Sequence, residues 1–216
     1  MTEEFEEHCK KNKYANNDII IPNTVPDDNF IFIDENNLDK KICLDIINDF
    51  NKDFRKEKGM FGGPLSKIDI TVKDTIELGF SSINEDIWIK YDKILYNLLK
   101  KSIVIYLNKV TKLNAHIPGV LFDDSGFQIQ KYDKNKGKYI WHSDDNTKTL
   151  SNRMITFLWY LNDVTEGGET CFLNGKIIPT AGKLILFPAT WTYIHKGNVP
   201  LSNDKYIITG WLSILN

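Results

Sequence analysis

Residues 153–173 read RMITFLWYLNDVTEGGETCFL, and this stretch decides the fold class. A run of β-branched and aromatic residues is followed by the turn residues Glu166-Gly167-Gly168 and a second short apolar run, which is typical of paired strands. Similar runs recur on both sides at intervals of roughly ten residues. They predict strands at Val120–Asp123, Phe127–Tyr132, Tyr139–His142, Met154–Asn162, Glu169–Leu173, Lys183–Phe187, Thr192–His195 and Lys205–Ile214.

Two amphipathic helices are predicted before these strands. Apolar residues recur every three or four positions over 38–58 and again over 84–110, which is the spacing of one buried helical face. A glycine-rich break at 59–64 separates them, and alternating apolar residues over 68–72 predict a further short strand. Helices followed by short antiparallel strands indicate an α+β fold, a sandwich or jelly roll with the helices packed on one sheet.

Length and charge restrict the domain organisation and the classes of partner. A chain of 216 residues favours one domain, which we place at 30–216 after a loosely ordered N-terminal extension at 1–29. Residues 38–110 are predicted to be its helical support and residues 120–216 its jelly-roll core. The 27 basic and 29 acidic side chains nearly cancel, so neither nucleic acid nor an anionic membrane is expected as a broad electrostatic partner.

Cysteine content and the N-terminus predict the compartment. The three cysteines, Cys9, Cys43 and Cys171, are widely spaced, so no disulfide framework or structural zinc site is expected. The acidic N-terminus lacks the features of a signal peptide, and no apolar run is long enough to span a bilayer. We therefore expect a cytoplasmic protein; its oligomeric state is not indicated by the sequence.

His142, Asp144 and His195 form a candidate metal site. Side chains two residues apart on a strand point to the same side, so His142 and Asp144 would converge, and His195 ends another predicted strand. Two histidines and one carboxylate are the ligands of the facial triad in non-haem Fe(II) oxygenases. The spacing alone is equally compatible with a surface histidine beside acidic residues, which are frequent in this chain.

Residues 130–212 resemble the catalytic core of the prolyl 4-hydroxylase-like Fe(II)/2-oxoglutarate dioxygenases. Four blocks occur in the family's order, namely YDKNKGKYIWHSD (132–144), RMITFLWYLNDVTEGGETCF (153–172), PTAGKLILFP (179–188) and HKGNVPLSNDKYIITGW (195–211). The resemblance implies a double-stranded β-helix core and a 2-oxoglutarate-dependent dioxygenase similar to procollagen-proline 4-dioxygenase. One departure is the seven-residue separation of Tyr132 and Tyr139, where the family motif has six.

The resemblance also implies roles for individual residues. The catalytic Fe(II) would be ligated by His142, Asp144 and His195. The 2-oxoglutarate would be bound by Tyr139, Thr156, Lys205 and Trp211. In this scheme Lys205 pairs with the distal carboxylate of 2-oxoglutarate, the hydroxyls of Tyr139 and Thr156 approach that carboxylate, and Trp211 lines the cavity.

The implied reaction consumes O2 and converts 2-oxoglutarate to succinate and CO2 while hydroxylating an unactivated C–H bond. Peptidyl proline is the first candidate substrate, so a peptide or protein is the expected partner, and ascorbate is a further candidate cofactor. Alternatives are a non-catalytic jelly-roll module that binds metal or peptide, a cupin-like iron enzyme without 2-oxoglutarate, and the same dioxygenase acting on a free amino acid or another side chain.

Several further residues have two interpretations. Arg153 precedes a core strand, where a structural ion pair is favoured over contact with a substrate. Residues 59–67 form either a lid or an ordinary connection. We expect packing roles, with a peptide groove as the alternative, for the aromatic residues Trp141, Trp159, Trp191 and Tyr193. Neither His8 nor His116 is expected to bind metal.

Overall fold

The computed structural model of the protein describes residues 22–25, 30–62, 66–110, 122–145 and 153–214. The other residues of the predicted extension, together with His8 and His116, lie outside the described residues. Residues 22–25 pack on the domain, since Val25 contacts an apolar core. A Cβ added to Gly175 would lie 2.4 Å from the carbonyl oxygen of Thr24. This short segment therefore contacts the domain, and the loosely ordered extension over 1–29 stays a prediction.

Helix α1 spans Lys40–Lys52, so it begins two residues after the predicted start and ends six residues before the predicted end. The Asp39 carboxylate caps its N-terminus by accepting hydrogen bonds from the backbone amides of residues 41 and 42. At the C-terminal end, Lys56 Nζ donates to the carbonyl oxygens of residues 50 and 51. These carbonyls therefore have hydrogen-bond donors without a further turn of helix. Phe54, expected on the buried face, therefore lies beyond the helix and is 91% exposed.

Helix α2 spans Asp86–Ile105 and continues into a π-helical segment over Tyr106–Val110, so the predicted helix over 84–110 is confirmed. Its buried side chains are Trp88, Tyr91, Leu95, Leu99, Ser102 and Ile103. The apolar members of this stripe contact the same core as α1. In the part of the chain that the structure describes, no helix combines the length and apolarity needed to cross a bilayer.

The described strands form two antiparallel sheets. In chain order they are β1 (Phe32–Asp34), β2 (Glu57–Lys58), β3 (Lys73–Asp74), β4 (Ile76–Gly79), β5 (Phe122–Asp124), β6 (Gln128–Tyr132), β7 (Lys138–His142), β8 (Arg153–Tyr160), β9 (Thr170–Phe172), β10 (Gly175–Ile177), β11 (Leu184–Pro188), β12 (His195–Gly197) and β13 (Lys205–Ile214). The larger sheet has the order β1-β11-β8-β13-β6-β4-β2, with β5 also paired to β13. The smaller has the order β10-β9-β12-β7-β3.

Alternation along the central strands separates two apolar cores. On β8, Phe157 and Trp159 point outward into the core shared with α1 and α2, whereas Leu158 and Tyr160 point inward to the core beside the second sheet. The helices thus cover one face of the larger sheet, as predicted. Its other face lines the space between the sheets, where the candidate site lies.

Three local predictions are wrong. Residues 68–72 are not a strand, because Asp69 accepts hydrogen bonds from Thr71 and bends the chain. Strands β3 and β4 follow instead, so the predicted helical support over 38–110 also contributes to both sheets. Residues Trp191–Tyr193 form a 3₁₀ turn, and strand β12 begins only at His195. Strand β10 has no counterpart among the predicted strands, which pass from Glu169–Leu173 directly to Lys183–Phe187.

Candidate metal and co-substrate site

His142 and His195 face each other across two paired strands. They are direct partners in the register of β7 and β12, and their ring centroids are 4.2 Å apart. Nδ1 of His142 lies 2.8 Å from the carbonyl oxygen of Ile140, and Nδ1 of His195 lies 3.0 Å from that of Tyr193. Each Nδ1 therefore carries the proton and donates to a backbone oxygen, which leaves both Nε2 lone pairs available for a metal.

The third candidate ligand, Asp144, lies between the two Nε2 atoms. Its Oδ1 is 3.7 Å from Nε2 of His142, and its Oδ2 is 3.7 Å from Nε2 of His195. These distances are too long for hydrogen bonds, so the ligand atoms converge without bonding to each other. The three ligand atoms lie within 4.8 Å of one another. The structure therefore brings together the three residues that the sequence predicted.

The protonation states of the triad suit metal binding. Burial, followed by the proximity of His195, lowers the pKa of His142 to about 3, so its imidazole is neutral. Burial opposes ionisation of Asp144, but the two histidines and the hydrogen bond from the Thr156 hydroxyl hold its pKa below the usual value. A neutral imidazole and an ionised carboxylate are the forms that bind a divalent cation.

Lys205 is a buried cation with no ion-pair partner among the described residues. Its side chain is 1% exposed, and Nζ donates a hydrogen bond to the carbonyl oxygen of Gly168 at 3.0 Å. Nζ also lies 3.9 Å from the ring centroid of Tyr132, its partner in the register of β6 and β13. Burial lowers the pKa of Lys205 to about 7. An ammonium group in such surroundings is stabilised by an anion brought from outside.

The other predicted co-substrate residues lie in the same cavity but make different contacts. The Tyr139 ring stacks on His142 with centroids 3.5 Å apart. The Thr156 hydroxyl donates to Asp144 Oδ2 at 2.7 Å. It therefore orients the candidate metal ligand, a different contact from the expected approach to the distal carboxylate. Trp211 lines the cavity, and the Arg153 guanidinium stacks 3.5 Å above its ring centroid.

One cavity of about 730 Å³ connects the triad with Lys205. Sequence reasoning missed part of its lining, namely Lys73, Glu77, Gln128, Gln130 and Tyr132. Their positions follow from strand register, because Tyr132 is opposite Lys205, and Glu77 is opposite Gln130. The sequence signal was the alternation of polar and apolar residues over 128–132, which places the polar side chains on the inner face.

The remaining candidates are distributed between core and surface. Trp159 is fully buried, and its indole N–H donates to Asn37. Trp191 is 68% exposed, Trp141 is half-buried beneath Lys196, and Tyr193 is half-buried. Arg153 donates to the backbone oxygen of Asp144 at 3.2 Å. This contact places Arg153 at the triad.

Comparison with known proteins identifies the family. Residues 127–213 match the model of the 2OG-Fe(II) oxygenase superfamily. The chain is 31% identical to prolyl 4-hydroxylase 13 of Arabidopsis thaliana over 107 residues, covering 38% of each protein. The chain is therefore similar to the prolyl 4-hydroxylase-like members of the 2OG-Fe(II) oxygenase superfamily.

Solved structures of such oxygenases share the fold of this chain. A prolyl hydroxylase from Trichoplax adhaerens superposes with a TM-score of 0.67 at 18% identity, over 86% of this chain and 84% of the other. The Pseudomonas putida prolyl-4-hydroxylase gives 0.63 at 15% identity, over 86% and 93%. The viral collagen prolyl hydroxylase of Paramecium bursaria Chlorella virus-1 gives 0.59 at 20% identity, over 88% and 98%. The predicted α+β fold with a double-stranded β-helix core is confirmed.

The residues of this site fit the Fe(II) and 2-oxoglutarate for which the similar superfamily is named. Two imidazoles with available Nε2 atoms and the carboxylate of Asp144 supply three ligands, which leaves other coordination positions open. Lys205, in the same cavity, supplies the cation for a carboxylate that the described part of the protein does not provide. The donor set and the cavity therefore agree with a metal and a dicarboxylate.

The hydrogen bond from Thr156 to Asp144 allows a test of the metal site that leaves the three candidate ligands in place. Replacing Thr156 with Val removes the donor while keeping the shape of the side chain. We expect a loss of about 10- to 100-fold in Mn(II) affinity, because partners that orient metal ligands contribute on this scale. Titration calorimetry measures it. Thr209→Val is the matched control, since that hydroxyl donates to the carbonyl of Phe157; equal losses in both variants would contradict the assignment.

Proposed function

We propose that this oxygenase hydroxylates a C–H bond of peptidyl proline, coupled to conversion of 2-oxoglutarate to succinate. Substrate, O2 and 2-oxoglutarate give hydroxylated substrate, succinate and CO2, with one oxygen atom in each of the two oxidised products. The observation that carries the proposal is the buried Lys205, which lacks a carboxylate partner in the described residues and lines the same cavity as the triad.

The residues of the chain bind and orient the reactants. Bound Fe(II) supplies the activation of O2 and the oxidising power for the C–H bond. In this proposal His142, Asp144 and His195 hold the metal, and their own contacts to Ile140, Tyr193 and Thr156 fix their directions. Lys205 binds the distal carboxylate of 2-oxoglutarate, and its burial excludes water from that ion pair.

The substrate assignment is supported by the named relatives. The Arabidopsis relative is a prolyl 4-hydroxylase, and the Trichoplax structure is a prolyl hydroxylase in complex with a peptide fragment. Because the alignment spans only 38% of the Arabidopsis relative, peptidyl proline is our proposal for the substrate. Residues 30–216 are proposed as the oxygenase domain. Arg153 and Trp211 line its cavity, where they offer a cation and an aromatic side chain to a peptide.

Mass spectrometry with a library of proline-rich peptides tests this proposal. We expect the Fe(II)-loaded protein to form succinate from 2-oxoglutarate and to add one oxygen atom to a peptide. Succinate without peptide oxidation, but with oxidation of a free amino acid, would support the same chemistry on another substrate. Failure of the loaded protein to bind 2-oxoglutarate would overturn the assignment, and this outcome separates it from a cupin-like enzyme and from a non-catalytic module.

A further inference from the structure

A buried ion pair lies in the wall of the cavity that also contains Lys205. Lys73 Nζ is 2.6 Å from Glu77 Oε1, and the two side chains are only 6% and 8% exposed. The Thr75 hydroxyl donates to the same carboxylate oxygen at 2.7 Å. Replacing buried pairs of this kind with apolar residues is often neutral or stabilising, so stability alone does not account for the pair.

The ion pair also holds the start of the loop that borders the cavity. Lys73 Nζ donates to the carbonyl oxygen of Met60 at 3.2 Å, and the Gly59 amide donates to the carbonyl oxygen of Thr75 at 2.9 Å. A Cβ added to Gly59 would lie 2.0 Å from Thr75 Oγ1 and 2.8 Å from Glu77 Oε1. The backbone of residues 59–60 therefore rests directly on the pair, in an approach that only glycine permits.

Lys73 contacts the triad side of the cavity as well. It is the register partner of Tyr139 across β3 and β7, and its Nζ lies 5.0 Å from the Tyr139 ring centroid. The Tyr139 ring in turn stacks on His142. One ammonium group thus connects the loop backbone, a carboxylate and the aromatic ring beside a candidate iron ligand.

The two ends of the cavity differ in the solvent exposure of the residues that line them. Lys205 is 1% exposed, so its end of the cavity is closed, whereas Met60 lines the same cavity and is 45% exposed. Phe61 and Gly62 also line it on the loop side. A small dicarboxylate reaches the closed end, while a peptide approaching from solvent meets the loop.

We propose that the Lys73–Glu77 pair positions residues 59–62 as a wall of the peptide-binding site. Lys73 is a positioning residue in this scheme: it holds the Met60 carbonyl and the Tyr139 ring in the arrangement that a peptide requires, without touching the reacting atoms. This inference rests on the proposed function. It predicts that loss of the pair weakens peptide binding and leaves 2-oxoglutarate binding unchanged.

Two variants separate positioning from folding. Lys73→Met removes one charge, and the double variant Lys73→Met/Glu77→Leu removes both, which avoids an unpaired buried carboxylate. In both we expect the KM for a synthetic polyproline peptide to rise on the order of tenfold or more, because small displacements of a binding wall are costly. Binding of 2-oxoglutarate to the Mn(II)-loaded protein, measured by calorimetry, is expected to stay unchanged. Recovery of the wild-type KM in the double variant would overturn the proposal.

Hydrogen–deuterium exchange of the Mn(II)-loaded protein with 2-oxoglutarate gives a second measurement that needs no peptide. We expect faster amide exchange at Gly59 and Phe61 in both variants than in the wild type, because the Met60 carbonyl loses its anchor. Lys58→Met is the matched control, since Lys58 pairs with Asp74 at 3.5 Å and is 44% exposed. Unchanged exchange at 59–62 would overturn the proposal. Wild-type protein that fails to bind 2-oxoglutarate would instead refute the proposed function.

Discussion

Lys205→Met is expected to abolish 2-oxoglutarate binding while making the protein more stable at neutral pH. The affinity should fall by about 3–5 kcal/mol, on the order of 100-fold or more, because the variant removes one partner of a buried charge pair. Stability should rise because the unliganded fold no longer buries an ammonium group without a carboxylate partner in the described residues. Calorimetry on the Mn(II)-loaded protein and urea unfolding of the metal-free protein measure the two effects.

The gain in stability has a defined pH dependence. The folded-state pKa of Lys205 is lowered from 10.5 to about 7, so the unfolded chain binds more protons between these values. The free energy of unfolding of the wild type therefore rises with pH over this window. The destabilisation caused by the buried ammonium group reaches its full size below about pH 7. Since each pH unit corresponds to about 1.4 kcal/mol, the advantage of the variant should be several kcal/mol at pH 7 and vanish near pH 10.5.

Lys183→Met is the matched control for this experiment. Lys183 is also buried, at 7% exposure, but it pairs with Glu35 at 3.1 Å and donates to the carbonyl of Ile178. Its replacement is expected to lower stability and to leave 2-oxoglutarate affinity unchanged. A Lys205→Met protein that binds 2-oxoglutarate like the wild type would contradict the assigned role of this residue.

Asp144→Asn is expected to eliminate catalysis and most of the metal affinity. The substitution keeps the size of the side chain but removes the negative charge between the Nε2 atoms of the two histidines. Because metal ions supply several kcal/mol of transition-state stabilisation, we expect turnover to fall on the order of 1000-fold or more. Succinate formation measures turnover, and the rise in Tm caused by Mn(II) reports binding in the same protein.

Asp145→Asn provides the control for the triad. Asp145 is the next carboxylate in the sequence but is not among the described residues that could hold a metal together. Its backbone amide donates to the carbonyl of Ala189, which the substitution preserves. We expect nearly wild-type turnover and a normal Mn(II)-induced shift in Tm. Similar losses in both variants would indicate a general effect of charge near β7 instead of ligation by Asp144.

Much of the fold was predictable because local pattern and tertiary environment agree. The helix over 84–110 carries an apolar stripe that is buried against the larger sheet, and the strand over 205–214 was predicted with its observed bounds. The secondary-structure predictions were wrong where hydrogen bonds within short polar segments set the direction of the chain. Asp69 bends the chain through its own hydrogen bonds, and Lys56 ends helix α1 through contacts to backbone carbonyls. Neither effect has a periodic signature in the sequence.

The sequence by itself determined which residues are candidates for the site, since His142, Asp144, His195 and Lys205 are recognisable from residue type, spacing and family resemblance. Only the tertiary structure decided the direction of each contact. Strand register places Tyr132 opposite Lys205 and Lys73 opposite Tyr139, and these pairs are distant in sequence. The hydrogen bond from Thr156 to Asp144 also joins residues that tertiary structure brings together. Pairing between strands distant in sequence determines which side chains share the inner faces of the two sheets, and those side chains become partners.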